Sequence, residues 1–327
     1  MATLAEIRAK LKEQETRSSG ESKSSGGDNA IYPFWNLKEG QEAVVRFLPD
    51  GDSDNTFFWI ERQIIKLPFA GIKGETDSRP VQVQVPCMEM WGDTCPILSE
   101  VRPWFKEPSL EEQGRKYWKK RSYIFQGFVV EDGLKEAAEE KAENPIRRFI
   151  IGPQIFQLIR SALMDPEMDN LPTDILHGVD FKLIKTSKGG YADYSTSKWS
   201  RRERPLIDEE QAAVKQYGLF NLKEYLPKKP TDVEVKVIKE MFQASVDGEP
   251  YDQERWGQYF RPSGMSAATG DPNKISSRPA IADDSEDDAP VVAKSAPAAT
   301  ATASPAAKTG EGRAEDILAM IRNRQKQ

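Results

Sequence analysis

Two stretches of the chain combine side chains that could do chemistry together. GRKYWKKRSYIFQGF (114–128) carries Arg115, Lys116, Lys119, Lys120 and Arg121 without an acid, interleaved with Tyr117, Trp118, Tyr123, Phe125 and Phe128. KGGYADYSTSKWSRRER (188–204) sets Lys188, Lys198, Arg201, Arg202 and Arg204 against Asp193 and Glu203, with Tyr191, Tyr194 and Trp199 between them. Spaced cations attract phosphates and release their counterions. Flat aromatic rings offer any base a stacking face worth ~1–3 kcal/mol. The competing reading buries the aromatics in a core and leaves the lysines as a solvated rim. Tyrosines beside glycines in a loop are poor core material, so two such stretches favour binding. Stacking needs bases free of a duplex, which points to single strands. No helix-turn-helix or basic recognition helix argues for duplex DNA.

Other chemistry finds less support. The one histidine, His177, lies between a proline turn and a glycine, where a surface or turn role is the ordinary reading. Any Ser-His-Asp or Cys-His nucleophile system would have to use it. Acids are plentiful, but none falls in a pattern that would hold Mg²⁺, and no GxxxxGK[ST] phosphate loop occurs; the chain reads as a non-enzyme. The only two cysteines, Cys87 and Cys95, stand in VPCMEMWGDTCPIL around a Gly-Asp turn. A zinc site, a disulfide, a reactive pair and the remnant of a metal knuckle are the readings open to them. A structural zinc needs four ligands, and a disulfide is disfavoured in a reducing cell. The favoured reading is a vestige without metal, in which Met90, Trp91 and Leu98 pack together.

The formal net charge of −6 over 327 residues is a sum, and a binding face needs only a local basic patch. No stretch approaches ~20 consecutive apolar residues, and MATLAEIRAKLKEQ lacks the apolar centre of a secretory signal, so a cytosolic protein without membrane contact is expected.

The elements that must position these residues follow from period and punctuation. Residues 1–17 are a short helix candidate with Leu4, Ile7 and Leu11 on one face, marginal alone and suited to order on a neighbouring molecule. SSGESKSSGGDN (18–29) reads as a flexible linker. WNLKEGQEAVVRFLPDGD reads as part of a β-hairpin, Ala43, Val45 and Phe47 alternating with Val44 and Arg46 before a Pro-Asp-Gly turn, and strands are expected across NTFFWIERQIIKLPF, at VQVQV (81–85), at RSYIFQGFVVED (121–132), at IRRFIIG, and at VDFKLIKTSKGGYADYS with its Gly-Gly turn. PQIFQLIRSALMD reads as a helix with Pro153 in its first turn and Ile155, Leu158, Ile159 and Leu163 on one face. Helices are expected through much of 207–260. Residues 261–327 lack aromatics and contain Asp283, Asp284, Glu286, Asp287 and Asp288 in one run, a composition that predicts disorder. That run reads either as a solvated tail or as a nucleic-acid mimic that competes for the basic groove and docks partners. AEDILAMIRNRQKQ, at the end, can form an amphipathic helix from Ile317, Leu318 and Ile321. The layout is an arm (1–17), a linker (18–29), a folded core (30–260) and an acidic tail (261–327).

AVVRFLPDGD (43–52), DTCP (93–96), KKRSYIFQGFVVED (119–132), IRRFIIGPQIFQLI (146–159) and DFKLIKTSKGGYADYSTSKW (180–199), in this order and spacing, resemble the single-stranded-DNA-binding (helix-destabilising) protein of T-even-like bacteriophages. The resemblance covers roughly residues 30 to 260. It implies an α+β fold: an OB-fold β-barrel core with a small degenerate zinc-knuckle-like subdomain, flanking helices and disordered tails. It implies cooperative coating of single-stranded DNA in replication, recombination and repair, in the cytoplasm of an infected bacterium. By the same resemblance the cleft aromatics fall on Tyr123, Phe149, Tyr191 and Tyr194, and a basic-run-plus-hydroxyl motif falls on Lys119, Lys120, Arg121 and Ser122. With the residues read directly, Arg201 and Arg202 join the backbone-binding set, and Tyr117 and Trp199 the stacking set. The resemblance assigns self-association to the arm (Leu4, Ile7, Arg8, Leu11) and recruitment of replication and recombination proteins to the acidic tail. Three departures stand out. The arm has Arg8, Lys10 and Lys12 but no basic-Ser/Thr motif. The tail ends in MIRNRQKQ, which is basic. The family's C-P-x-C ends here in Leu98, with no histidine before Val81. An RNA-binding regulator and a scaffold acting through its tails are the alternative functions.

Overall fold

The computed structural model describes residues 30–135 and 142–262. The arm with Leu4, Ile7, Arg8 and Leu11, the linker, the acidic run and the C-terminal segment lie outside them.

The fold is mixed α/β, built on a mostly antiparallel sheet. Its strands are β1 (Glu42–Phe47), β2 (Trp59–Phe69), β3 (Val81–Pro86), β4 (Lys120–Glu131), β5 (Ile146–Ile151), β6 (Val179–Ile184) and β9 (Lys198–Glu203), with a separate hairpin of β7 (Thr186–Lys188) and β8 (Tyr191–Asp193). The helices are α1 (Pro96–Val101), α2 (Glu111–Tyr117), α3 (Pro153–Leu163), α4 (Asp208–Tyr217), α5 (Asp232–Val246) and α6 (Gln253–Trp256). Hydrogen bonding follows β3-β2-β4-β1-β6-β9, with β5 joined to β4. Among the described residues this path does not return on itself, so the expected closed barrel gives way to an open sheet.

Strand β4 is the spine. Its residues 120–125 pair with β2, 127–131 with β1, and 123–128 with β5. β1 and β2 therefore lie end to end along one edge and β5 lies on the other. Gly127 stands at the joint, where an added Cβ would fall 2.1 Å from the Arg46 carbonyl oxygen. Only a residue without a side chain lets β1 come this close.

The apolar residues sort into separate clusters along this spine. One gathers Phe47, Phe125, Phe149 and Phe181 under Ile155, Phe156 and Ile159 of α3. The buried stripe of α3 includes Phe156 where the expected one had Leu158, which is only half-buried. A second cluster packs Ile65, Leu67, Val83 and Val85 against α1, α2 and α5 through Leu98, Val101, Tyr117 and Phe242. β2 touches both, the first through Trp59 at its start and the second through Ile65, Leu67 and Phe69. A small third cluster joins Leu48, Phe128 and Ile146 to Leu206 and Ala213.

Cys87 and Cys95 are buried in the second cluster. The neighbouring Cys95 and burial push the Cys87 thiol up, while Cys87 and the backbone N–H groups of Leu98, Met88 and Ile97 draw the Cys95 thiol down. Leu98 is buried beside them and Trp91 packs on the cluster, while Asp93 is held by Lys229 at 2.6 Å. His177 sits elsewhere, 3.2 Å from Glu203. This donor set of two thiols does not fit a four-ligand zinc.

Candidate nucleic-acid interface

The basic run at the start of β4 divides between the two faces of the sheet. Opposed residues of an antiparallel pair share a face. The register Glu61↔Tyr123 and Gln63↔Arg121 puts Arg121 and Tyr123 on the face covered by α3, while Lys120 and Ser122 lie opposite Ile64 and Arg62 on the reverse. Lys119, just before the strand, reaches the Arg121 side through Gln63 (3.1 Å) and Glu89 (2.7 Å). Arg102 also bonds Glu89, and Arg121 Nε lies 3.7 Å from a Glu61 oxygen. Burial alone would raise Glu89, but hydrogen bonds and charge from Lys119 and Arg102 hold it below the usual carboxylate range. Ser122 Oγ accepts from Arg62 Nε at 3.1 Å. The motif is thus two surfaces: a carboxylate-paired waist with Lys119 and Arg121, and a reverse face with Lys120 and Ser122.

Most of the expected stacking residues are core. Phe149 is fully buried against Tyr32 and Phe47. Tyr117, at the end of α2, is buried edge-on to Phe242, with its hydroxyl 3.1 Å from Ser245 Oγ. Tyr194 is buried against Phe34. Tyr123 lies under Phe156, ring on ring at 3.5 Å and 9°. Trp199 is half-buried, 4.9 Å from Phe181. In this structure these rings pack on other aromatics: Tyr123 and Phe149 because strand alternation aims them at the cluster under α3, and Tyr117 because α2 lies on the second cluster. Arg204, one of the cations counted in the second stretch, bonds both oxygens of Glu210 at 2.8 and 2.9 Å.

Tyr191 differs from the rest: it is 81 % exposed. It flanks the turn of the β7–β8 hairpin, where Gly189 (φ 63°) and Gly190 (φ 86°) both take left-handed backbone. That is the glycine-demanding geometry of a tight hairpin turn. Lys188 pairs with Tyr191 across the turn and is also exposed. Arg201 and Arg202 project from β9, the terminal strand of the path.

Helix α3 links this hairpin to the aromatic face. Gln154 donates to Asp193 Oδ1 at 2.6 Å and accepts from the Tyr194 N–H at 2.8 Å. Two residues on, Phe156 stacks on Tyr123 and meets Trp59 at 5.4 Å. The Ser195 hydroxyl, with Gln154 and Thr186, holds Asp193 below its ordinary value.

Phe57 and Trp59 were read in the sequence only as strand-forming residues. Phe57 is 57 % exposed and lies 4.7 Å from the half-buried Trp59 at 32°, while Phe58 between them is buried. Three consecutive aromatics at a strand entrance cannot all face one core, and that was the available signal. Phe57, Trp59 and Tyr191 keep accessible surface, and Arg121 shares the face of Tyr123, with Lys119 joined to its side through Gln63.

No protein-family model matches the chain, and no curated protein matches it significantly. Among the described residues no helix is long and apolar enough to cross a membrane.

Proposed function

We propose that the chain is a sequence-independent single-stranded-DNA-binding protein that coats and protects DNA during phage replication, recombination and repair in the host cytoplasm, without catalysing a reaction or holding a metal. The observation that carries this reading is the first turn of α3. Gln154 anchors the separate hairpin that exposes Tyr191, and Phe156 packs on Trp59 and Tyr123, so one helix turn contacts both the hairpin of the exposed ring and the aromatic face that carries Arg121. Phosphates would exchange for the carboxylates of Glu61 and Glu89 on Arg121 and Lys119, and bases would stack on Tyr191, Phe57 and Trp59. Strands β1, β2, β4, β5 and β6, with one long strand shared by three partners, support an OB-type arrangement as the finer fold class. Self-association through the arm and recruitment of replication proteins by the acidic run complete the proposal.

Titration with oligo-dT, followed by the fluorescence of the seven tryptophans, tests it. Quenching that weakens steeply with added salt is expected. An unquenched, salt-indifferent signal would rule the reading out. Tighter binding of RNA than of DNA of equal length would move the function to an RNA regulator.

A further inference from the structure

The segment between α3 and β6 exposes aliphatic side chains from a backbone that is firmly held. Leu171, Ile175 and Leu176 are 64 %, 54 % and 61 % exposed, and Ile207 is 53 % exposed. The Ile175 carbonyl accepts the Leu206 N–H at 2.8 Å, which brings Ile207 to the same place. Asp174 Oδ1 accepts the N–H groups of Leu176 (2.7 Å) and His177 (2.8 Å). The Asp174 carbonyl accepts from Nη2 of the fully buried Arg46 at 2.7 Å. Single exposed aliphatics are ordinary, whereas several grouped on a fixed backbone mark a contact surface.

The rim of this patch is acidic. Asp165, Glu167 and Asp169 precede it and Asp208 and Glu209 follow it, all exposed. Glu203 is tied to it by Asn170 (3.3 Å) and His177 (3.2 Å). Arg202 is an exposed cation next to Glu203, and Arg204 is already committed to Asp180 and Glu210.

We propose that this patch is the docking site for residues 313–327 of the same chain. That segment has the complementary chemistry: Ile317, Leu318 and Ile321 form an apolar group, and after Asp316 it carries Arg322, Arg324 and Lys326 with no acid. The N-terminal arm is the poorer match, because Glu6, Glu13 and Glu15 interrupt its cations. From Pro262 to Ile317 the chain has 55 residues (317 − 262), with a root-mean-square span of roughly 40 Å as a random coil. Docking would close residues 263–312, including the run at 283–288, into a loop tethered at both ends. The inference needs no nucleic acid and stands independently of the DNA-binding reading.

Hydrogen–deuterium exchange on the full chain tests it, comparing the parent with L171D/L176D and with I317D/I321D. The substituted positions on the patch are exposed, and unchanged thermal unfolding would certify the fold of each variant. In the parent, amides of 315–326 should exchange roughly tenfold more slowly than in either variant, at every protein concentration. Equal exchange in all three proteins overturns the proposal. Protection that grows with protein concentration overturns it too, because the occupant is then a second copy.

Discussion

The ion pairs at the waist set what single substitutions should do. Glu89 holds both Lys119 and Arg102, so any phosphate on Lys119 must displace a carboxylate. Glu89→Gln frees these cations and should tighten oligo-dT binding, with a steeper salt dependence; affinities measured at two ionic strengths check this. Tyr191→Ala should cost about 1–3 kcal/mol of DNA affinity while leaving the unfolding temperature unchanged, since the side chain is largely exposed. Phe149→Ala should do the reverse, losing about 3–5 kcal/mol of stability through the cavity it leaves. Equal effects of these two on binding and on stability would erase the distinction between exposed and buried rings. The buried Arg46, drawn down by desolvation and restored in part by Asp180, joins β1, β6 and the backbone of Asp174 and Arg204. Removing it as Arg46→Ala should destabilise the fold by about 3–5 kcal/mol, read by chemical denaturation.

Among the elements, the β7–β8 hairpin depends on one carboxylate. Asp193 has a depressed folded value, so its contribution is present above the unfolded value and is lost as pH falls through the folded one. The hairpin should therefore loosen only below the ordinary carboxylate range of ~4, seen as acid-dependent shifts of the Gly189 and Gly190 amides in NMR. Asp193→Asn should flatten that dependence. This hairpin was legible in the sequence because Gly-Gly between alternating residues admits few other backbones. So were β3, β4, β5 and α3, whose periods are unbroken over their length. Burial of the rings was not legible: alternation tells which side chains share a face but not what covers that face. In β4 the cover is α3, some 30 residues downstream, and it takes Tyr123 out of solvent. Tyr117 escaped for a different reason, since the local run 97–113 has no strong period and its helices form on the β2–β3 core. The division of the basic run between faces follows from a strand beginning at Lys120, a boundary that composition alone does not mark.

For the whole molecule, the separate clusters are held by continuous strands, with β2 serving two of them and β4 pairing with three strands. Substitution of Gly127 should prise β1 from this spine, and because β1 carries Arg46 the damage should reach β6 and the Asp174 segment together. A single cooperative loss in denaturation would be the signature. Removing residues 261–327 should raise DNA affinity, because it removes an intramolecular competitor for the waist; unchanged or weaker binding would contradict the mimic reading of the acidic run. The terminal strand β9 carries one more consequence. Its outer edge has no partner among the described residues, and exposed edges invite pairing with another chain unless charge repels it. Lys198, Arg201 and Arg202 supply that repulsion. Any event that neutralises them, whether a polyanion or a substitution, therefore also removes the guard against edge-to-edge growth, so solubility and ligand occupancy are coupled through the same three side chains.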